Sequence, residues 1–243
     1  MTNARSTLFI VLSPTGIDTD PLLSQLQAHP DVLCHAGMQG PLSEAGFAGL
    51  DDKTLKAARG SKELAAFKQG FPEAFLYKYV LDSRGRQAVG FAVDHGSLLD
   101  PVNARMRTVL HQDSDVHVLL YAPKNTLRAY AEDAQRRQTP PRAQVEIEPQ
   151  KFLLHAKQID RLNAYVEKFF QGHAQLKIDS ADLLPSRAGA TLKAVAKFLD
   201  MAPFRAAASP LKEPQAELRG MIANFPAMEA ALRDTPYSQM LGS

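Results

Sequence analysis

One cysteine, Cys34, in 243 residues leaves this chain without a disulfide framework or a thiolate metal cage, which fits a reducing compartment. No apolar run approaches the roughly 20 residues that a membrane helix needs. The opening MTNARSTLFIVLSPTG has no small-residue cleavage site after its short apolar run. A cytoplasmic protein with no integral membrane association is expected. Charge of one sign is missing too. The 28 Lys and Arg and the 26 Asp and Glu are interleaved and leave a net charge of +2, so a general nucleic-acid binder is not expected. There is no internal repeat and no low-complexity segment. The histidines lack HExxH spacing, which gives zinc little support, and no Gly-Lys-Ser/Thr follows the first glycine, which sets a P-loop kinase aside.

What is present is a core-forming composition, 45% hydrophobic and 22% charged, sufficient for one α/β domain spanning 1–243. Thr7 to Leu12 is a continuous apolar run of the kind buried on both faces of a sheet. The turn SPTGIDTD follows, then a helix over Pro21 to Ala28 with Asp20 as its cap, since Asp caps free amides and proline tolerates the first helical position. Further strands are predicted at Ala74 to Leu81, Val89 to Asp94, Asp115 to Ala122 and Gln175 to Asp179. Helices are predicted at Asp52 to Phe67, Pro101 to His111, Lys124 to Gln138, Pro149 to Phe170 and Arg187 to Leu199, with two short ones after Pro214. Thr139 to Arg142 and Ala202 to Pro210 read as loops. This alternation predicts an α/β fold with a mainly parallel sheet, helices on both faces and a helical C-terminal part.

Several segments carry a family likeness. The run from Leu8 to Met38 contains FIVLSPTGIDTDPLLSQLQAHPDVLCHAGM, a strand, a loop and a helix that ends in His29, Pro30, Asp31 and Val32. A second run, VHVLLYAPKNTLRAYAE, carries Asn125, Leu127, Arg128 and Tyr130, and the tail carries Lys212, Leu218, Arg219, Ile222, Asn224 and Thr235. With these the chain resembles carbohydrate sulfotransferases of the nodulation-factor type, over most of its length. The resemblance implies a P-loop-like nucleotide-binding α/β fold. It also implies transfer of a sulfuryl group from phosphoadenosine phosphosulfate (PAPS) to a hydroxyl of a carbohydrate or other small acceptor.

On that resemblance Thr15, Gly16 and Thr19 form the donor loop, Lys124, Arg128 and Lys212 are the cations for the donor's phosphates, and His35 is the base. A helix N-terminus attracts the anionic donor, charged hydrogen bonds grip its phosphate, and a base takes the acceptor proton. The chain departs from the family pattern at three places. The loop arginine falls on Gly16 or, with the gap shifted by one, on Thr15. The second motif's Arg and Ser fall on Pro123 and Glu132, and the family's catalytic Glu falls near Gly37 or Met38. An alternative of another class is therefore a non-catalytic sulfotransferase-like protein that binds a different ligand or a protein partner. Other readings stand beside these. Cys34 is a buried small hydrophobe, His35 is a base or a structural histidine, and Arg128 holds phosphate or a salt bridge to an Asp or Glu of a neighbouring helix. Asp18 and Asp20 cap a helix or bind a metal ion.

Overall fold

The computed structural model describes residues 6–35, 53–54, 56–57, 61–138, 143–204 and 217–242. The chain divides into two compact units, Met1–Ala122 with Val166–Leu211, and Pro123–Tyr165 with Lys212–Ser243. No described helix is long and apolar enough to cross a membrane.

The first unit is built on five strands, β1 (Thr7–Ser13), β2 (Val32–His35), β3 (Ala88–Asp94), β4 (Val116–Ala122) and β5 (Gln175–Asp179). Their order is β2-β3-β1-β4-β5 and every pair is parallel. The described helices, in chain order, begin with α1 (Asp20–Gln27), α2 (Lys62–Gly70), α3 (Pro72–Phe75), α4 (His95–Leu99) and α5 (Ala104–Gln112). They continue with α6 (Thr126–Arg136), α7 (Pro149–Phe169), α8 (Ala188–Phe198), α9 (Leu218–Met221) and α10 (Phe225–Leu232).

A parallel sheet needs cover on both faces, and β1 supplies apolar side chains to each in turn. Phe9 and Val11 pack with Leu22 and Leu26 of α1 and with Leu192 and Val195 of α8. Ile10 and Leu12 pack on the opposite face with Phe75, Leu98 of α4, Leu110 of α5 and Val166. The chain therefore leaves β1 toward one face and leaves its neighbour β3 toward the other. Such a divergence marks the point where open α/β sheets bind ligands. Between those strands the backbones and rings crowd. A Cβ on Gly90 of β3 would lie 2.6 Å from Phe9 Cγ and against the Phe9 carbonyl, so only glycine fits.

One predicted strand is a helix. Ala74 to Leu81 lies in α3 and in a π-helical turn over Leu76–Val80, closed by the Leu81 N–H donating to the Leu76 carbonyl at 2.8 Å. The aromatic and β-branched content suggested a strand, but Phe75, Leu76 and Val80 are buried while Tyr77 is exposed, which is a helical period. Of the predicted helix at Asp52 to Phe67, 53–54 and 56–57 are helical and Ser61 caps a separate helix, α2, while the rest lies outside the described residues. So do the loop Thr139 to Arg142 and most of Ala202 to Pro210. The other predicted strands and helices are present, with ends displaced by up to three residues, Pro101–Asn103 forming a 3-10 turn ahead of α5.

The second unit has its own core, in which Leu127, Phe152, Met221, Phe225 and Met228 meet. Asn224 fastens it. Its Nδ2 donates to the Ile147 carbonyl at 2.8 Å and its Oδ1 accepts from the Ile147 N–H at 3.0 Å.

Candidate functional site

The loop between β1 and α1 reaches the divergence point and holds Thr15, Gly16 and Thr19. Gly16 turns the chain with φ at +85°, a left-handed conformation that glycine adopts at no steric cost. The loop is fastened. Thr15 Oγ1 donates to Asp94 Oδ1 at 2.8 Å and accepts from the Gly96 N–H at 3.0 Å. Asp94, the last residue of β3, caps α4, accepting from the Ser97 N–H at 3.1 Å and from Ser97 Oγ at 2.6 Å. Burial alone would raise the Asp94 carboxyl, but the bonds from Ser97, Thr15 and Gly96 outweigh it and hold the group below its ordinary value. Beside it, burial depresses the His95 imidazole to about 4 against the pull of Asp94, and its Nδ1 has no hydrogen-bond partner among the described residues.

Sequence reasoning missed Asp94, His95 and Ser97. Their signal was an Asp ending an apolar strand with a Ser three residues later, a helix-start pattern.

The start of α1 corrects the expected cap. Asp20 is the first helical residue, and the N-cap position belongs to Thr19, whose side chain makes no capping bond. The carboxylate at this helix start is that of Asp18, whose Oδ1 accepts from the Asp20 N–H at 3.0 Å. An Asp binds the amide two residues on in an Asx turn, so Asp18 takes the Asp20 N–H. Pro21 contributes no N–H to the same turn. An anion brought here meets the Asp18 carboxylate at the Asp20 amide and finds the Thr15 hydroxyl committed to Asp94. These residues do not fit a phosphosulfate group. Acids also act nearby: burial first, then Asp18 and Asp179, push the Tyr121 phenol of β4 well above its usual value. Among the described residues, no group of three or more His, Cys, Asp or Glu side chains is placed to hold a metal ion.

His35 does not join the loop. It ends β2, which β3 separates from β1, so the two lie two strand spacings of about 4.8 Å apart. Its ring is 0% exposed, and burial, with Arg84 acting in the same direction, lowers it to about 4 against a hydrogen bond with the Val80 backbone. A base must come within hydrogen-bond reach of the proton it takes, and a fully enclosed ring meets no acceptor. His35 thus holds an enclosed place at the end of β2, away from the donor loop. Cys34 packs on the opposite face from His35 and is buried as expected, its thiol pushed up to about 12 by burial.

Lys124 and Arg128 belong to the second unit. Lys124 is exposed just before α6. Arg128 lies within α6, its Nη1 4.0 Å from Glu132 Oε1 and 3.4 Å from Met221 Sδ. The expected salt bridge to a neighbouring helix is replaced by this pair within α6. Partial burial pushes the Glu132 carboxyl up, while Arg128 and Arg136 pull it down. Lys212 lies outside the described residues.

The residues that carry the family likeness most closely are structural here. His29 Nδ1 accepts from the Asp31 N–H at 3.1 Å, and the Asp31 carbonyl accepts from the amides of Gln87 and Ala88, so the His-Pro-Asp-Val segment is the turn that feeds β2 into the sheet. Leu218 and Ile222 are core, Arg219 covers the Phe225 ring, and Thr235 Oγ1 donates to the Leu232 carbonyl. No protein-family model and no curated protein sequence matches this chain.

Proposed function

We propose that this chain is a sulfotransferase-like α/β protein that has given up PAPS and sulfuryl transfer. In this reading it binds a neutral or cationic small molecule at the crevice beyond the carboxyl ends of β1 and β3. The observation that carries the proposal is the Asp18 carboxylate on the Asp20 amide at the start of α1, with Thr15 tied to Asp94 beside it. A donor anion would have to displace both. It would also lack the loop arginine and the phosphate-gripping arginine, whose positions hold Gly16 or Thr15 and Pro123. Each lost charged hydrogen bond removes roughly 1.5 to 3 kcal/mol, so two losses weaken binding on the order of a hundredfold or more. A cytoplasmic setting suits a chain with a single, buried cysteine.

Gly16 favours a second reading, because its left-handed turn after β1 leads the chain directly into a helix start, as a donor loop requires. There Gly16 and Thr19 would hold the donor. Calorimetric titration with adenosine 3′,5′-bisphosphate, the desulfated donor, separates the two. The proposal predicts no heat at millimolar nucleotide with the protein folded. Micromolar binding that survives moderate salt would restore the enzyme.

A further inference from the structure

We infer that the groove between β5 and the first turns of α8 binds a small zwitterion, a molecule with a free carboxylate, a free ammonium and an apolar side chain, as in an unblocked dipeptide. The groove encloses about 680 Å³, within the size range of small-molecule sites. None of the residues that border it belongs to the loop between β1 and α1 or to the end of β3. The inference therefore stands apart from the crevice and its ligand.

The walls leave room for an apolar group. Leu176 and Ile178 of β5 border the space and pack on the α8 side of the sheet. From α8 come Ala190, Thr191 and Ala194, none longer than threonine. A Cβ placed on Gly189 would meet no atom within 4 Å, so the open space reaches the helix backbone itself.

Charge selects the occupant. Three charged residues border the groove, and Lys177 is already neutralised, its Nζ 2.8 Å from Glu167 Oε2. The other two are Asp182, in the 3-10 turn Ser180–Leu183, and Arg187, the residue that leads into α8. Neither makes an ion pair, with the other or elsewhere, among the described residues. Two opposite charges thus stand uncompensated in one groove. A simple anion is drawn to Arg187 and repelled by Asp182, and a simple cation meets the reverse. A zwitterion is attracted at both ends and forms a charged hydrogen bond at each. The backbone sets its direction. The N–H groups of Ala188 and Ala190 donate to the Leu184 and Arg187 carbonyls at 2.8 and 3.2 Å, while that of Gly189 meets no backbone acceptor among the described residues. A carboxylate beside Arg187 therefore also finds the Gly189 amide, at the helix end that favours negative charge, and the ammonium turns to Asp182.

The probe is the dipeptide leucyl-leucine, titrated into the full chain and followed by amide heteronuclear NMR. Saturable shifts are expected at Gly189, Ala190 and Thr191 and along Leu176 to Ile178. Acetylating the dipeptide removes its ammonium and amidating it removes its carboxylate. Each change should weaken binding about tenfold, as expected for one charged hydrogen bond. Two variants should each erase one of these preferences. Asp182→Asn should bind the free and acetylated dipeptides alike, and Arg187→Gln the free and amidated ones alike. Neither side chain belongs to the core, so far-ultraviolet dichroism should be unchanged in both. Equal affinity for the three peptides would overturn the proposal, and so would preferences that survive in the variants. Tighter binding of the acetylated peptide would make the groove a plain anion site and overturn it equally. So would the absence of saturable shifts through tens of millimolar dipeptide, or shifts confined to residues outside the groove.

Discussion

Lowering the pH should destabilise this protein well before its carboxylates protonate, because two buried histidines stay neutral in the native state. His35 and His95 are each lowered from 6.5 to about 4, in both cases chiefly by burial. An imidazole whose folded value lies below its unfolded value binds protons more readily when unfolded, so stability falls as pH drops through 6.5 and the loss is complete only below about 4. At pH 5 linkage gives a loss of about 2 kcal/mol for each ring relative to neutral pH, or about 4 kcal/mol together. That is a large fraction of the 5–15 kcal/mol of an ordinary domain. Asp94 acts in a lower window: its depressed carboxyl contributes stability above its ordinary value of 3.8, lost as pH falls further. Urea titrations at about pH 7.5, 6 and 5, followed by far-ultraviolet dichroism, measure the slope directly, and His95→Asn should remove about half of it. Stability that is flat within about 0.5 kcal/mol from neutral pH to pH 5 would refute the reasoning.

Gly90→Ala sets a methyl group against Phe9 and should cost roughly 3 kcal/mol or more, lowering the Tm by about 6 to 12 °C in a thermal melt. Asp94→Ala removes the cap of α4 and the tether of Thr15 together. A loss of about 2 to 3 kcal/mol is expected in urea, with faster amide exchange at Gly96 and Ser97. In a double-mutant cycle Arg128→Ala and Glu132→Ala should show a coupling under about 0.5 kcal/mol, because the pair is a loose i,i+4 contact at 4.0 Å with Glu132 half-exposed.

The central sheet is legible in the residues because β1, β3 and β4 are buried on both faces and read as apolar runs, while α1 and α6 announce themselves by Asp-Pro and Asn-Thr starts. The turn at Leu76–Val80 is not, since aromatic residues favour strands in isolation and only the core facing Phe75 and Val80 decides for a helix. Asp18, Thr15 and Asp94 illustrate why the site was harder. The Asx turn and the tether from Thr15 to Asp94 join residues two and 79 positions apart, and the longer link exists only once β1 and β3 are paired. His35 shows the opposite failure: its type suggests catalysis, while its place at the end of β2 buries it.

The most direct test of the account is whether the start of α1 accepts an anion. In an amide heteronuclear NMR titration of the full chain with sodium sulfate, at constant ionic strength set with chloride, the Asp20 and Gly16 amides should not move through millimolar sulfate, because the Asp18 carboxylate already holds the Asp20 N–H. A saturable shift of the Asp20 amide at millimolar sulfate would contradict the account and return this helix start to the donor.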